Sequence, residues 1–243
     1  MENNATKLDF QEIRKDRQKY NNFLVIDAVK SNDEKKFYKN INKEEYKRTL
    51  EDLKIDHKQF WEKCKIDHLF LVLSARNLAK KDSRQGSKDE LVQIKICNEA
   101  AQKCNIKIKN LNNKAFRPTK QGKIVSFSEM EKKKISKDQC LKSFDAKITG
   151  KMKGWLSAKI TYGNGGHQDN VFEEEDTLCS WWKNNMKNKD QKLVILIDTD
   201  LKKEYDTLKT KYKDCKSIII TNHYQFQEYL LKNYSKKNQS ESK

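Results

Sequence analysis

Two short strings carry groups from which a hydrolytic site can be built: Asp145, and further along the chain Ser157-Ala158-Lys159, in the pattern D-x(11)-S-x-K. Between them lie Gly150 and Gly154, and the flanking runs 144–149 and 155–162 are rich in β-type residues, so the segment predicts a hairpin. Strands that leave one turn can bring a carboxylate on the first beside an ammonium on the second, within about 5 Å. Such a pair suits hydrolysis of a phosphodiester. The carboxylate can hold a divalent metal ion that polarises the phosphate and lowers the pKa of an attacking water, while the ammonium offsets charge building in the transition state.

Other chemistry-bearing residues compete with this reading. Asp145-Ala146-Lys147 is itself a literal D-x-K, with Asp138 upstream as partner, although Asp138 sits among lysines without a strand pattern. Asp198 and Asp200 follow the apolar run LVILI as a DxD, which reads either as a metal site or as the cap of the next helix. The four histidines, His57, His68, His167 and His223, form no ββα-metal pattern. Six cysteines never occur as CxxC, and most fall at apolar positions of helix-like segments, which predicts small buried thiols in a reducing compartment.

The elements that must position Asp145 and Lys159 read as follows. Residues 1–83 predict a helical N-terminal region packed on the core, with helical spacing over 42–64 and 67–78 and a short apolar segment of undecided type at 23–29. Residues 84–232 form the core. Its first helix opens at Ser87, where S-K-D-E matches a capping box closed by Glu90, and carries Ile94, Cys97, Ala101 and Cys104 as a buried stripe. Residues 105–143 read as a basic insertion holding a small hairpin and loops. After the 144–162 hairpin come a helix over 168–186, a strand at 193–197, a helix over 201–212, a strand at 217–220 and a helix over 222–231, with a disordered tail from 233. The order predicts an α/β fold with a mixed sheet flanked by helices.

Composition sets the partner class. The chain has 243 residues with 52 Lys+Arg against 35 Asp+Glu, a formal net charge of +17. That charge is either a lysine-rich solvated surface or the footprint of a polyanion, of which nucleic acid is the commonest. No run is apolar enough to span a membrane and no secretory leader opens the chain, so a cytoplasmic location is expected. Five of the seven glycines (150, 154, 163, 165 and 166) crowd into one stretch, marking it as the first candidate for a working site. Its loop brings Asn164, His167 and Gln168 beside glycines that permit close backbone approach to phosphate or a base edge. Arg84 and Gln85 precede a helix N-terminus, and Arg117, Lys120 and Lys123 lie in the basic insertion; all are expected DNA contacts.

The D-x(11)-S-x-K string, with a helix before it and helix, strand, helix, strand after it, resembles the PD-(D/E)XK nuclease superfamily, and within it the type II restriction endonucleases, over residues 84–232. The resemblance implies a restriction-endonuclease-like core and a magnesium-dependent endonuclease (manganese substituting) that cuts duplex DNA at a short sequence as a homodimer. It implies Asp145 and the Ala158 carbonyl as metal ligands and Lys159 as the group that orients or activates water. Phe144 replaces the usual proline, and Ser157 stands where the family has Glu or Asp. In the family, a missing carboxylate can come from the following helix. With Val171, Leu178 and Trp182 facing inward, Glu175 among Glu173, Glu174 and Glu175 points the same way. The three can equally be an acidic first turn favoured by the helix dipole. Glu90, on the preceding helix, is a further candidate for the site. A structure-specific repair or junction nuclease, and a nucleic-acid-binding protein without catalysis in which Ser157 marks a decayed site, remain as alternatives.

Overall fold

A computed structural model describes residues 5–81, 86–111, 116–162, 169–186 and 190–235, at 86, 87 and 169 by backbone alone. The chain divides into two compact units, 9–85 and the pair of segments 1–8 and 86–243.

The unit 9–85 is helical: α1 (Phe10–Lys30), α2 (Glu34–Asn40), α3 (Lys43–Leu53), α4 (His57–Ile66) and α5 (His68–Leu78). Each helix starts on Asp or Asn (Asp9, Asp33, Asn42, Asp56, Asp67), whose side chain accepts from the otherwise unpaired amides of the first turn. The undecided segment at 23–29 lies inside α1, with Val25, Ala28 and Val29 buried. Phe37 is the hub of the small core, set edge-on to Tyr46 and Trp61.

The larger unit contains α6 (Gly86–Gln102), β1 (Ile106–Asn110), β2 (Phe116–Pro118), β3 (Ile124–Ser126), α7 (Phe127–Lys132), β4 (Ala146–Gly150), β5 (Lys153–Thr161), α8 (Asp169–Asn185), β6 (Gln191–Thr199), α9 (Lys202–Lys211), β7 (Ile218–Thr221) and α10 (His223–Tyr234). The central sheet runs β1-β4-β5-β6-β7. β1, β4 and β5 pair antiparallel, whereas β5, β6 and β7 pair parallel, so the sheet is mixed. Period-two alternation divides the core into two layers. Leu156, Ala158, Val194 and Leu196 face Ile94, Cys97, Ala101 and Cys104 of α6 and Phe226 and Leu230 of α10. Trp155, Leu193, Ile195 and Ile197 face the other way, towards Phe172, Leu178 and Trp182 of α8 and Leu208 of α9. Burial on both faces explains why β6 reads as an unbroken apolar run.

Three sequence expectations change. The stretch 105–143 is not an insertion throughout, because its first residues form β1, an edge strand of the main sheet with Ile106 and Ile108 in the core. Two alternating isoleucines between lysines (IKIK) are a half-buried edge strand that the surrounding basic residues disguise. The small hairpin expected there is β2–β3. Residues 5–8 belong to the larger unit rather than to the helical region: Gln227 donates to the Thr6 carbonyl at 2.8 Å and accepts from the Thr6 amide at 2.9 Å. Finally, α6 already includes Gly86, so Ser87 lies within the helix rather than capping it.

All six cysteines are free, and Cys64, Cys97, Cys104 and Cys179 are buried. No helix among the described residues is long and apolar enough to cross a membrane. The disordered tail expected from 233 does not start there, because α10 runs on to Tyr234, which packs against the core; residues from 236 lie outside the described residues.

Candidate active site

Asp145 sits one residue ahead of β4, not within it, yet the ladder continues through it. Its amide donates to the Leu156 carbonyl at 2.9 Å, and its carbonyl accepts from Leu111 at 2.8 Å. The segment leading to it is stitched to β2, by Leu141 to Pro118 at 2.8 Å and Phe144 to Phe116 at 3.1 Å. Phe144 stacks on Trp155 with ring centroids 4.9 Å apart. Asp145 is therefore fixed at the end of an interior strand by backbone bonds on both sides and by the aromatic stack of the preceding residue.

The hairpin turn needs its two glycines for structural reasons. Gly150 has φ +101°, and a Cβ there would lie 2.3 Å from the Asn105 carbonyl oxygen; a Cβ on Gly154 would meet the Lys192 carbonyl at 1.9 Å. These two belong to the turn and to the β5–β6 contact rather than to a ligand. The other glycines of the cluster, at 163, 165 and 166, lie outside the described residues.

Trp155, Ser157 and Lys159 alternate along β5 onto the face covered by α8. Lys159 Nζ lies 3.4 Å from Asp145 Oδ2 and 3.7 Å from Glu175 Oε1, and donates to the Ala158 carbonyl at 3.1 Å. The Ala158 amide donates to Asp145 Oδ2 at 2.8 Å. Glu175 is the inward member of the acidic turn, 2% exposed, and accepts from the Ser157 hydroxyl at 2.7 Å. Glu173 is exposed, and Glu174 is held by Lys142. Helical phase thus selects the residue expected, and the serine of β5 meets the helix carboxylate directly. Lys142 is a site neighbour that the spacing arguments miss; its one signal is a cation three residues ahead of Asp145.

The electrostatics follow from burial at a shared charge centre. Burial works against the Lys159 charge, but the carboxylates of Glu175, Asp145 and Glu90 outweigh it and hold the ammonium above the ordinary lysine range. Burial pushes the Glu175 carboxyl up, against the pull of Lys159 and the Ser157 hydrogen bond. Glu90 of α6 belongs to the same field: burial raises its carboxyl to about 7, with Lys159 opposing and Asp145 adding to the rise. Glu175 Oε2 is fully buried and has no hydrogen-bond partner among the described residues. A buried carboxyl oxygen without a partner is costly to maintain, and a cation bound beside it would remove the cost.

Among the described residues, no group of three or more His, Cys, Asp and Glu side chains is gathered tightly enough to cage a metal. Magnesium does not require one, since it usually takes one or two carboxylates and fills its shell with water and substrate phosphate. Asp145, Glu175 and the Ala158 carbonyl, each within 3.1–3.7 Å of Lys159 Nζ, could supply such a donor set.

The competing strings go elsewhere. Lys147 lies over the Trp155 and Phe116 rings, at 5.2 and 5.7 Å, and Asp138 sits in a 3-10 turn (Lys137–Gln139), so the literal D-x-K assembles no site. Asp198 points to the opposite face of the sheet, where it accepts from His223 Nδ1 at 2.7 Å and from the Gln93 amide. His223 Nε2 accepts in turn from the Leu8 amide at 3.0 Å, which uses up both ring nitrogens. Asp198 is therefore a structural pin between α6, β6 and α10.

Of the expected DNA contacts, Lys120 and Lys123 are exposed around the tip of the β2–β3 hairpin, which is tied to α8 by Trp181 donating to the Thr119 carbonyl at 2.6 Å. Arg117 is half-buried and donates to the Leu141 carbonyl at 3.3 Å, so its guanidinium is partly engaged in structure. Arg84, Gln85, Asn164, His167 and Gln168 lie outside the described residues. No protein-family model, curated protein or solved structure matches this chain.

Proposed function

We propose that the chain is a magnesium-dependent endonuclease that hydrolyses phosphodiester bonds of double-stranded DNA, resembling the type II restriction enzymes. One observation carries the proposal: Glu175 of α8 accepts from the Ser157 hydroxyl at 2.7 Å through the oxygen that lies 3.7 Å from Lys159 Nζ, and its second oxygen is buried with no hydrogen-bond partner among the described residues. The carboxylate missing from the strand is supplied by the helix, as a working site requires and a decayed one does not.

Asp145, Glu175 and the Ala158 carbonyl would hold the ion. When bound, magnesium polarises the phosphate and lowers the pKa of the attacking water. Lys159, kept charged by three carboxylates, lies within reach of an incoming phosphate oxygen and offsets the charge that accumulates there. Glu90, with a carboxyl pushed up to about 7, exists in both protonation states near neutral pH and can take or give a proton at the same centre. The net charge of +17 and the exposed Lys120 and Lys123 favour a polyanionic substrate. A palindromic target would match a homodimer.

Incubation with plasmid DNA and magnesium tests the reading, with Asp145→Ala as control. Discrete fragments from the native chain, lost in the variant while DNA binding persists, are the expected result. Branch-selective cutting would reassign the protein to structure-specific nucleases, and binding without cleavage by the native chain would remove the enzymatic reading.

A further inference from the structure

The candidate site sets three carboxyls, Asp145, Glu175 and Glu90, in the field of one ammonium, Lys159. A phosphodiester brings further negative charge to that centre, so a second cation at its mouth would ease the approach. Lys142 is placed to be that cation. Its backbone is fixed on both sides: the Leu141 amide donates to the Pro118 carbonyl at 2.8 Å, Arg117 donates to the Leu141 carbonyl at 3.3 Å, and the Phe144 amide donates to the Phe116 carbonyl at 3.1 Å. Its charge reaches the site, because Lys142 acts with Lys159 against the rise of the Glu90 carboxyl. Between the segment at 141–142 and α8 opens a cleft of about 340 Å³, lined by Leu141, Lys142, Asn170, Glu174, Glu175 and Leu178. The cleft therefore adjoins the site through Glu175, and the ion pair of Lys142 with Glu174 joins its two walls.

That ion pair is suited to exchange rather than to holding the walls together. The two side chains are 58% and 38% exposed, and exposed pairs are weak and screened by salt. Its members also answer an incoming phosphate in opposite ways, since the ammonium is attracted and the carboxylate repelled. A phosphate can therefore take the place of Glu174 at little cost, with a charge-assisted hydrogen bond gained in return. We propose that Lys142 is a phosphate-binding residue of this site, held by Glu174 in the free chain and handed over to a backbone phosphate when nucleic acid enters the cleft. This role rests on DNA being the substrate, but it concerns binding and not the step that breaks the bond.

Gel shifts of the full chain with duplex DNA, run without metal over a salt series, test the handover apart from cleavage. Lys142→Ala should weaken binding by about 10-fold and flatten the log–log salt slope by about one, because one phosphate contact is lost. Lys142→Arg keeps a cation that can reach phosphate and should bind within about threefold of the native chain. Glu174→Gln should act in the opposite sense and tighten binding by about threefold, because the ammonium no longer has to leave a carboxylate. A lysine that only staples residue 142 to α8 gives no such opposition of sign. Thermal melts should shift little in all three variants, since the pair is exposed, and they identify any variant that does not fold. Native affinity in Lys142→Ala, or binding no tighter than native in a folded Glu174→Gln, overturns the role of Lys142. A native chain that binds no duplex overturns it together with the DNA reading, whereas native binding without cleavage in magnesium counts against the nuclease reading alone.

Discussion

Moving one carboxylate from α8 to β5 tests the candidate site most directly. Glu175→Ala removes the helix carboxylate, and taking a main metal ligand out of such a site costs on the order of 100-fold in rate, roughly 2.7 kcal/mol of barrier. Ser157→Glu in the same chain restores it from the strand. The geometry is favourable: the new Cγ takes the place of the serine Oγ, and the carboxylate oxygens extend about 2.4 Å beyond it on ordinary bond lengths. Glu175 Oε1 lies 2.7 Å from that Oγ, so the grafted oxygens arrive where the original one stood, in space the alanine has vacated. The double variant should recover at least a tenth of native activity at unchanged net charge. Glu175→Gln separates charge from shape, because an amide oxygen can still accept from Ser157 but no longer carries charge to a metal; it should cut as poorly as the alanine variant. Burial holds the Glu175 carboxyl up, so the folded state disfavours its ionisation, and the glutamine variant should melt no lower than the native chain at pH 8 without metal. Single-turnover cleavage over a magnesium titration is the assay. Native rates in Glu175→Ala, or no recovery in a folded double variant, would refute the helix-supplied ligand and make Glu90 the next residue to test.

Glu90 predicts a pH dependence. Its folded carboxyl sits near 7 against an ordinary 4.5, so ionisation destabilises the fold progressively as pH rises between those values, by roughly 3 kcal/mol in full. Without metal, Glu90→Gln should therefore match the native chain in thermal melts at pH 4 and exceed it at pH 8; equal melting at both would show that the carboxyl is not held in the buried field. DNA binding should weaken steeply with salt, and Lys120→Ala and Lys123→Ala should each flatten the log–log slope by about one, while Arg117→Ala should change it less because its guanidinium already serves the Leu141 carbonyl. Gel-shift slopes unchanged in both lysine variants would remove the hairpin tip from the interface.

The parts of this chain that are legible in sequence are those in which one periodicity acts alone. The alternating face of β5, the helical phase that turns Glu175 inward and the unbroken run of β6 all follow from residue spacing. Legibility fails where a local pattern competes with tertiary contacts. S-K-D-E looks like a helix start, but α6 begins earlier, and Glu90 is turned into the field of Lys159 instead. IKIK reads as part of a basic insertion, because two isoleucines are too short a signal to outweigh the lysines around them. The turn glycines look like ligand contacts, yet Gly150 and Gly154 are demanded by backbone neighbours at 105 and 192, which no local pattern reveals. Asp198 is visible as a polar residue at a strand end, but its partner His223 lies 25 positions away.

A buried charge cluster can be structural, so its energetics decide how far it speaks for function. Both core layers close over aliphatic and aromatic side chains without help from Lys159, Glu175 or Asp145. Buried ion pairs seldom stabilise a fold relative to apolar residues of the same volume, because the desolvation of each charge roughly cancels its attraction to the other. Here Lys159 stands among three carboxyls, burial raises that of Glu90 to about 7 and pushes that of Glu175 up, and among the described residues Glu175 Oε2 has no hydrogen-bond partner. On that ground, replacing Lys159 by Met together with Glu175 by Leu should raise the thermal midpoint of the metal-free chain. Three carboxyls around one ammonium, held at the end of an interior strand by backbone bonds, are what the proposed cation-binding centre would need. Added magnesium should therefore raise the melting temperature of the native chain, and Asp145→Ala or Glu175→Ala should abolish that increment. An increment that survives in both variants would place the ion elsewhere.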